Sequence, residues 1–452
     1  MSQIAFLLER FRERPDTPAV VFRGSTVTYG ELLEATLSTQ AGLRESGIAA
    51  GDVVVLVGDY APETIATLLA LSEMGCVIVP VTPAARTNVG NTLPKVKARW
   101  EIDFTGSDTS PRRLHPDGPD PELYSSIREA GTPGLVLFTS GSSGRPKAVV
   151  HDFARLLRKF HARRKALVTI NFLLFDHWGG LNTLLHCLSN HCLVVIPEGR
   201  TPEKIAELVE RHRVELLPTT PSFLSMLVIS GAHERHDMSS LQIISYGAEP
   251  MPASTLQRLH AAFPDVDLRQ TYGMIELGVL RAKTRSPDSL WMKMGGEGYD
   301  LRVVDGILQI KAASAMLGYI DEPSPYTDDG YFITGDRVEV DGEWMHVLGR
   351  ESDLINVGGQ KAYPAEIESA IFGCECVDDA IVYGERNPLL GSVVAAQVVL
   401  KDGFAKSDAR VEIVRACREQ LTDFMVPSRV KFVDSIAQTH RLKRNRRLET
   451  GE

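Results

Sequence analysis

The sequence predicts an α/β protein: a large N-terminal domain of helix-flanked, mostly parallel sheets with a β-rich subdomain, and a small α+β C-terminal domain. Apolar runs alternate with helical patterns up to residue 218, as in repeated βαβ units. Near residue 300, short alternating strands separated by Asp-Gly turns follow, which indicates antiparallel hairpins. The length of 452 residues also exceeds what one core usually fills.

The N-terminal elements are predicted from local start and stop signals. Thr28 and Glu31 match the capping box of a helix N-terminus. Residues 52–58 form a continuous apolar run, which is typical of a strand covered on both faces. Residues 64–74 have helical periodicity that ends at Gly75. The same strand and helix patterns recur over residues 192–197, 204–211 and 214–218.

The C-terminal part has a different pattern, which suffices for a small α+β domain. We expect helices over residues 364–372 and 408–421, and strands over residues 379–383 and 393–400. A domain boundary is predicted between Gly349 and Asp353.

Composition excludes several classes of protein. The 43% hydrophobic and 24% charged residues are typical of soluble globular proteins, and the net charge of −9 argues against a nucleic-acid partner. No apolar stretch approaches the roughly 20 residues of a membrane span, and the N-terminus does not resemble a signal peptide. Six scattered cysteines lack zinc-site spacing and indicate reduced thiols. We therefore expect a cytoplasmic protein without membrane or nucleic-acid partners.

One segment combines the groups that bind a nucleotide polyphosphate. An apolar strand ends in hydroxyls, glycines and cations, and glycine-rich backbone can turn its N–H groups toward an anion. The segment is not a Walker loop, because Arg and Pro separate the last glycine from the lysine. A Gly/Ser surface loop is the alternative. The candidate phosphate ligands are Thr139, Ser140, Gly141, Ser142, Ser143, Gly144 and Lys147.

Further motifs follow in a fixed order along the chain: 246–250 (YGAEP), 270–276 (QTYGMIE), 318–319 (GY), 331–336 (YFITGD), 349–353 (GRESD) and 439–446 (THRLKRNR). With the phosphate loop, they resemble the motifs of the ANL adenylate-forming enzymes, which include acyl-CoA synthetases, nonribosomal-peptide adenylation domains and luciferases. The resemblance runs from about residue 15 to 447. It implies a ligase that uses ATP and Mg²⁺ to convert a carboxylic acid to acyl-AMP, with pyrophosphate leaving. The acyl group then passes to a pantetheine thiol of CoA or of an acyl carrier protein.

The resemblance also implies roles on the nucleotide side of the site. Tyr272, next to Gly273, stacks on adenine, and Asp336 accepts both ribose hydroxyls, which a carboxylate is equipped to do. Arg350 reaches the same ribose, and Glu276 holds Mg²⁺ as a hard oxygen ligand. Thr139 joins Glu276 among the catalytic residues. Outside these motifs, a core tyrosine, a surface Gly-Asp turn and a solvated glutamate would be the simpler interpretations. The adenine-side loop comprises Gly247, Ala248, Glu249 and Pro250.

Lys443 is predicted to enter the site during adenylation. The carboxylate that attacks the α-phosphate is an anion, and a mobile cation between them would stabilise the transition state. A solvated basic tail is the alternative, because five of the seven residues from 441 to 447 are basic. The resemblance implies a 1–349 adenylation domain and a mobile 350–452 lid with its hinge at Ser352. The loop at 356–361 would line the thiol channel.

The acyl pocket is expected to be apolar and of limited depth, which favours an aryl or a short-to-medium acyl acid. Asp176 follows a phenylalanine, as does the aspartate that pairs with the substrate amine in amino-acid-activating relatives. It could instead orient His177 or cap the next helix. The pocket residues are predicted to be Asp176, His177, Trp178, Gly179, Ser245, Tyr246 and Met274.

Four positions depart from the pattern of the family. Ile275 stands where threonine or serine is usual, Ala148 and Leu442 replace glycines, and Phe153 lies near a position where a histidine is common. None of these departures removes a charged group, so an active ligase is favoured over a nucleotide-binding relative that has lost activity. An amino-acid-activating enzyme that loads a carrier protein also stays open, whereas nothing in the sequence supports a luciferase-like oxidation. No carrier domain follows residue 452, so any carrier protein is expected to be a separate chain. The oligomeric state stays open.

Overall fold

The computed structural model describes residues 3–140, 146–387 and 390–436. Its α-helices lie mostly in the first two thirds of the chain. In chain order they are α1 Ala5–Glu13, α2 Tyr29–Glu45, α3 Pro62–Glu73, α4 Pro83–Asn88, α5 Leu123–Ala130, α6 Phe153–Leu157, α7 Trp178–Ser189, α8 Pro202–His212, α9 Pro221–Ile229, α10 Ala232–Arg235, α11 Ala253–Ala262, α12 Pro364–Phe372 and α13 Lys406–Gln420.

The strands of the described residues are distributed over the whole chain. In the N-terminal part they are β1 Pro18–Phe22, β2 Ser25–Thr28, β3 Val53–Val57, β4 Val77–Val81, β5 Trp100–Asp103, β6 Arg112–Arg113, β7 Gly134–Ser140, β8 Pro146–Asp152, β9 Thr169–Ile170, β10 Val194–Val195, β11 Leu216–Thr219, β12 Ile243–Tyr246 and β13 Asp267–Gln270. The later strands are β14 Tyr272–Met274, β15 Gly278–Thr284, β16 Trp291–Gly295, β17 Tyr299–Val304, β18 Ile307–Ala312, β19 Gly318–Tyr319, β20 Phe332–Asp341, β21 Trp344–Arg350, β22 Ile355–Val357, β23 Gln360–Ala362, β24 Val377–Asn387, β25 Gly391–Leu400 and β26 Arg429–Phe432.

Two sheets form the N-terminal part: the first is mostly parallel, as predicted, whereas half of the strand pairs in the second are antiparallel. The first has the order β13-β12-β11-β9-β10-β1-β2, and all its pairs are parallel except β1 with β2. The second has the order β19-β8-β7-β4-β3-β5-β6, with parallel pairs at its centre. Continuously buried strands such as β3 and β4 show why their sequences are apolar without alternation.

The predicted β-rich subdomain is an antiparallel sheet of order β14-β15-β16-β21-β20-β18-β17. A fourth sheet, β23-β22-β25-β24 with β26 beside β25, packs against α12, and α13 contributes to the same core. Its core includes Ile355, Ile371, Val398 and Ile413 and contains only residues from this part of the chain. The α/β fold class with an α+β C-terminal part is therefore confirmed.

Local signals predicted several elements closely. Thr28 and Glu31 form a complete capping box at the start of α2, with hydrogen bonds of 3.2 and 2.8 Å. Helix α12 begins after Tyr363 and ends at Phe372, as its pattern indicates. The apolar run at 192–197 contributes only the two residues of β10, which pair with two residues of β1 and with the two-residue strand β9. All six cysteines are buried and free.

The C-terminal part contacts the N-terminal part through α11 and α12. Arg258 Nη2 donates to the carbonyl of Phe372 at 2.6 Å, and the Ser254 hydroxyl donates to that of Ser369 at 3.3 Å. Both acceptors lie in the last turn of α12, where helix carbonyls lack partners within the helix. The domain boundary near residue 349 stays a prediction.

Gly180 should not tolerate a side chain. A Cβ at this position of α7 would lie 2.5 Å from the Tyr60 hydroxyl and 2.7 Å from the Leu173 carbonyl oxygen. Gly180→Ala is expected to destabilise the protein by about 1–3 kcal/mol and to lower the melting temperature measured by calorimetry. The matched control is Gly42→Ala in α2, where a Cβ meets nothing within 4 Å. It should stabilise by about 0.5–1 kcal/mol, and equal effects of both variants would contradict the packing.

Candidate active site

Strands β7 and β8 pair antiparallel and bring the two ends of the phosphate-loop segment together. Thr139 lies opposite Lys147, and Ser140 lies opposite Pro146. Pro146 is the first residue of β8, a position where the missing N–H of proline is tolerated. Four predicted phosphate ligands lie outside the described residues and stay predictions: Gly141, Ser142, Ser143 and Gly144.

Lys147 already has two partners, one on β19 and one on the segment that follows it. Its ammonium lies 2.7 Å from the carboxylate of Glu322 and 5.0 Å from the centre of the Tyr319 ring. The first contact is an ion pair and the second is within cation–π range. The sequence singled out Lys147, but it gave no role to Tyr319 or Glu322. The Gly318-Tyr319 motif was the available signal.

Glu276 is a buried carboxylate with a tyrosine donor. The side chain of Tyr319 donates its hydroxyl to Glu276 Oε1 at 2.9 Å, and the N–H of Met316 donates to the Glu276 carbonyl at 2.8 Å. Glu276 is 7% exposed. Burial, together with the Glu276 carboxylate, raises the pKa of Tyr319, so the hydroxyl remains a donor at neutral pH.

The residues around Glu276 fit a magnesium ion that is held mainly by substrate. Among the described residues, no three His, Cys, Asp or Glu side chains come together as a metal site. Mg²⁺ is often bound by one or two protein carboxylates plus substrate phosphates and water. Glu276 could supply that carboxylate, and the ion would neutralise phosphate charge.

The predicted ribose ligand, Asp336, is buried and lies beside Tyr272 and Arg350. Tyr272 donates its hydroxyl to Asp336 Oδ2 at 2.6 Å, and Arg350 Nε lies 3.4 Å from Oδ1. Asp336 and Arg350 face each other across β20 and β21. Burial and the Asp336 carboxylate raise the pKa of Tyr272 well above its ordinary value. Desolvation lowers the pKa of Arg350, but the nearby carboxylates of Asp336 and Glu276 have the larger combined effect and raise it. Glu276 is therefore close enough to interact electrostatically with Arg350.

The predicted adenine-side loop follows β12 and is closely packed. A Cβ on Gly247 would lie 2.5 Å from Thr271 Oγ1, so glycine is required there. Ala248 has a φ of 69°, in the left-handed region that non-glycine residues rarely adopt. Glu249 accepts a hydrogen bond of 2.6 Å from Ser222 Oγ, and Pro250 follows directly. Such strained loops concentrate at functional sites.

The predicted acyl-side residues lie where α7 begins. Thr82 Oγ1 donates to Asp176 Oδ2 at 2.9 Å, whereas Asp176 Oδ1 is buried without a partner among the described residues. His177 caps α7 by accepting the N–H of Gly179 at Nδ1, 3.1 Å away, so the cap is not Asp176. Trp178 is 1% exposed, and its Nε1 likewise lacks a described partner.

Neighbouring parallel strands end in a row of buried polar groups. Thr219 pairs with Tyr246, and Tyr246 pairs with Gln270. Each of them carries a buried polar atom without a partner in the described chain. Ligands of open α/β sheets bind at the carboxyl ends of strands, which is where this row lies. Tyr246 nevertheless packs in the core of the first sheet. Ser245 precedes it, and Met274 is nearly buried at 9% exposure.

The predicted hinge residue lies at the surface. Ser352 occupies a short 3-10 turn, Glu351–Asp353, and its hydroxyl donates to Asp353 Oδ1 at 3.3 Å. An exposed turn directly after β21 is compatible with a hinge, which stays a prediction. Lys443 lies outside the described residues, so its role also stays a prediction.

His151 is a buried residue of the site that sequence reasoning missed. Its Nε2 lies 2.7 Å from the carbonyl oxygen of Ile275, the residue before Glu276. Because a carbonyl only accepts, Nε2 carries a hydrogen, and in the neutral ring Nδ1 then carries none. Burial lowers the pKa of His151 to about 4. The hydrogen bond to Ile275 opposes this shift but is the smaller effect. The available signal was a histidine within the apolar run of β8.

Comparison with known proteins identifies the family. The sequence profile of the AMP-binding enzymes matches residues 7–89 and 89–305, and that of the AMP-binding enzyme C-terminal domain matches residues 366–443. The chain belongs to the AMP-binding enzyme family. The predicted membership of the adenylate-forming enzymes is thereby confirmed, and this AMP-binding enzyme is an AMP-forming ligase.

Curated relatives and solved structures match over nearly the full length of this AMP-binding enzyme. The chain is 27% identical to a feruloyl-CoA synthase of Amycolatopsis sp, with 96% of this chain and 95% of the relative covered. It is 25% identical to a 2-succinylbenzoate–CoA ligase of Bacillus pumilus, with 98% of both covered. In fold, it is similar to an anthranilate CoA ligase in complex with anthranoyl-AMP, with a TM-score of 0.84, 18% identity and coverage of 98% and 95%.

The helices of the described chain also bear on the membrane prediction. Within residues 3–140, 146–387 and 390–436, every helix is too short or too polar to cross a membrane.

The buried His151 should make folding stability depend on pH. Between pH 6.5 and about 4 the unfolded state binds a proton that the folded state does not, so stability should fall as pH is lowered through this range. His151→Gln keeps a donor for the Ile275 carbonyl but removes the titration. The unfolding free energy of the wild type minus that of the variant should therefore decrease with falling pH, by at most about 1.4 kcal/mol per unit.

Urea titrations at about pH 7, 6 and 5 would measure this difference. The matched control is His115→Gln, because His115 is exposed. Its difference from the wild type should vary much less with pH. Parallel stability curves for the wild type and His151→Gln would contradict a buried, neutral His151.

Proposed function

We propose that this enzyme activates a small carboxylic acid with ATP and transfers the acyl group to the thiol of CoA. In the first step, a carboxylate oxygen attacks the α-phosphorus of ATP, acyl-AMP forms and pyrophosphate leaves. In the second, the thiol sulfur attacks the acyl carbon, the carbon–oxygen bond to AMP breaks, and the thiol loses its proton. AMP and an acyl thioester are the products.

The observation that carries this proposal is the connected set of charged groups from separate motifs. Lys147 contacts the Tyr319 ring, and the Tyr319 hydroxyl donates to Glu276. The carboxylates of Asp336 and Glu276 both raise the pKa of Arg350. The set offers a cation for phosphates, a carboxylate for Mg²⁺ and a carboxylate for ribose hydroxyls. Preorganised charges of this kind stabilise a transition state without reorganising as it forms.

The proposed acid is aromatic, or a short-to-medium acyl acid. The feruloyl-CoA synthase and the 2-succinylbenzoate–CoA ligase are named for aromatic acids, which favours that class for this chain. We expect the buried Trp178 and Met274 to limit the depth of the proposed pocket. The free Oδ1 of Asp176 keeps an amino acid as the second candidate, because a buried carboxylate oxygen favours a donor on the substrate.

Pyrophosphate release with a panel of acids tests the proposal. Benzoates, cinnamates, aliphatic acids and amino acids would each be supplied with Mg·ATP, with and without CoA. We expect release to require an aromatic or acyl acid, and thioester and AMP to accumulate in equal amounts only with CoA. Turnover with amino acids alone, or with a pantetheinylated carrier protein but not CoA, would support the alternatives. Tight ATP binding without turnover of any acid would contradict a ligase.

Lys443 tests the two-step scheme. Lys443→Ala should slow acyl-AMP formation by about a hundredfold or more, because it removes the cation proposed to stabilise the attack on the α-phosphate. Thioester formation from supplied acyl-AMP should change much less. The control is Arg444→Ala, which removes one charge from the same basic run. Equal effects of the two variants, or equal losses in both steps, would favour a solvated tail.

A further inference from the structure

Tyr319 lies between two motifs of the proposed site. Strand β19 pairs antiparallel with β8, with Gly318 opposite Val150 and Tyr319 opposite Val149. Main-chain hydrogen bonds on either side, Leu317 to Val150 and Ile320 to Ala148, measure 2.8 and 2.9 Å. The backbone of Tyr319 is therefore fixed to the same strand that carries Lys147.

The side chain of Tyr319 contacts both charged groups through different parts. Its hydroxyl donates to Glu276 Oε1 at 2.9 Å, and the Lys147 ammonium lies 5.0 Å from its ring centre. Glu322, which forms a β-bridge with Tyr319, holds the same ammonium at 2.7 Å. The lysine is thus placed over the ring by a carboxylate from the turn that Tyr319 begins.

We propose that Tyr319 is a positioning residue that couples the metal-binding carboxylate of Glu276 to the phosphate-binding ammonium of Lys147. This inference rests on the proposed function. A carboxylate that holds a metal is oriented by its own hydrogen-bond donors, and loss of such a donor typically weakens metal binding by about 10–100-fold. The ring keeps Lys147 on the same side, so that one polyphosphate meets both groups.

The two contacts predict two separable effects. Tyr319→Phe removes only the hydroxyl, so metal binding should weaken while binding of metal-free ATP stays nearly constant. Tyr319→Leu also removes the aromatic face, so metal-free ATP should bind more weakly as well. A tyrosine that only fills space would lower stability in both variants without separating metal from nucleotide.

Equilibrium binding measures these effects without turnover. Mn²⁺, as the probe for Mg²⁺, would be titrated by electron paramagnetic resonance in the presence of a non-hydrolysable ATP analogue. ATP would be titrated by calorimetry in EDTA. We expect Tyr319→Phe to raise the Mn²⁺ dissociation constant about tenfold or more, and to change that of metal-free ATP by less than about twofold.

Tyr299→Phe is the matched control, because Tyr299 is a partly buried tyrosine whose hydroxyl meets Ser314 Oγ at 3.0 Å. It should leave both constants unchanged. Unchanged Mn²⁺ binding in Tyr319→Phe, or equal shifts in Tyr319→Phe and Tyr299→Phe, would overturn the inference alone. A wild type that does not bind Mn²⁺ and nucleotide together would overturn the proposed function with it. If Tyr319→Leu does not fold, the Mn²⁺ dissociation constant of Tyr319→Phe alone tests the inference.

Discussion

The pairing of β8 with β7 on one edge and β19 on the other is the constraint on which the candidate site depends. It sets Lys147 opposite Thr139 and Val149 opposite Tyr319. Because side chains alternate along a strand, a shift of one residue in either pairing would turn these groups to the opposite faces. His151, on the same strand, donates a hydrogen bond to the carbonyl oxygen of Ile275 and so holds that part of the chain in place.

The two buried carboxylates of the site are stabilised in the same way. Glu276 and Asp336 are 7% and 8% exposed, and each accepts a hydrogen bond from a tyrosine hydroxyl. A buried charge without partners is very costly, and a neutral donor lowers that cost. Unlike an arginine or lysine, a tyrosine does not cancel the negative charge. Asp336 has in addition the Arg350 guanidinium, whose Nε lies 3.4 Å from Oδ1, so its negative charge is partly balanced, whereas the side-chain donor to Glu276 is the neutral Tyr319 hydroxyl.

The sequence predicted elements where local signals decide the structure, and it was less accurate where distant strands decide it. The capping box of α2 and the bounds of α12 depend on neighbouring residues. The position of β10 between β9 and β1 depends on pairings with strands far away in the chain. The same division holds in the site. Motif residues such as Glu276 were found, but His151 and Ile275 are 124 positions apart, and a histidine in an apolar strand has the pattern of a core residue.

The departure at position 275 does not by itself indicate lost activity. The Ile275 side chain is 6% exposed and packs in the main core, while its carbonyl accepts the hydrogen bond from His151. The isoleucine therefore lacks a hydroxyl, but the hydrogen bond from His151 still holds the backbone next to Glu276. Ala148 is fully buried in the core of the second sheet, so its methyl group also adds packing. Both side chains are buried, and the charged groups of the site are retained.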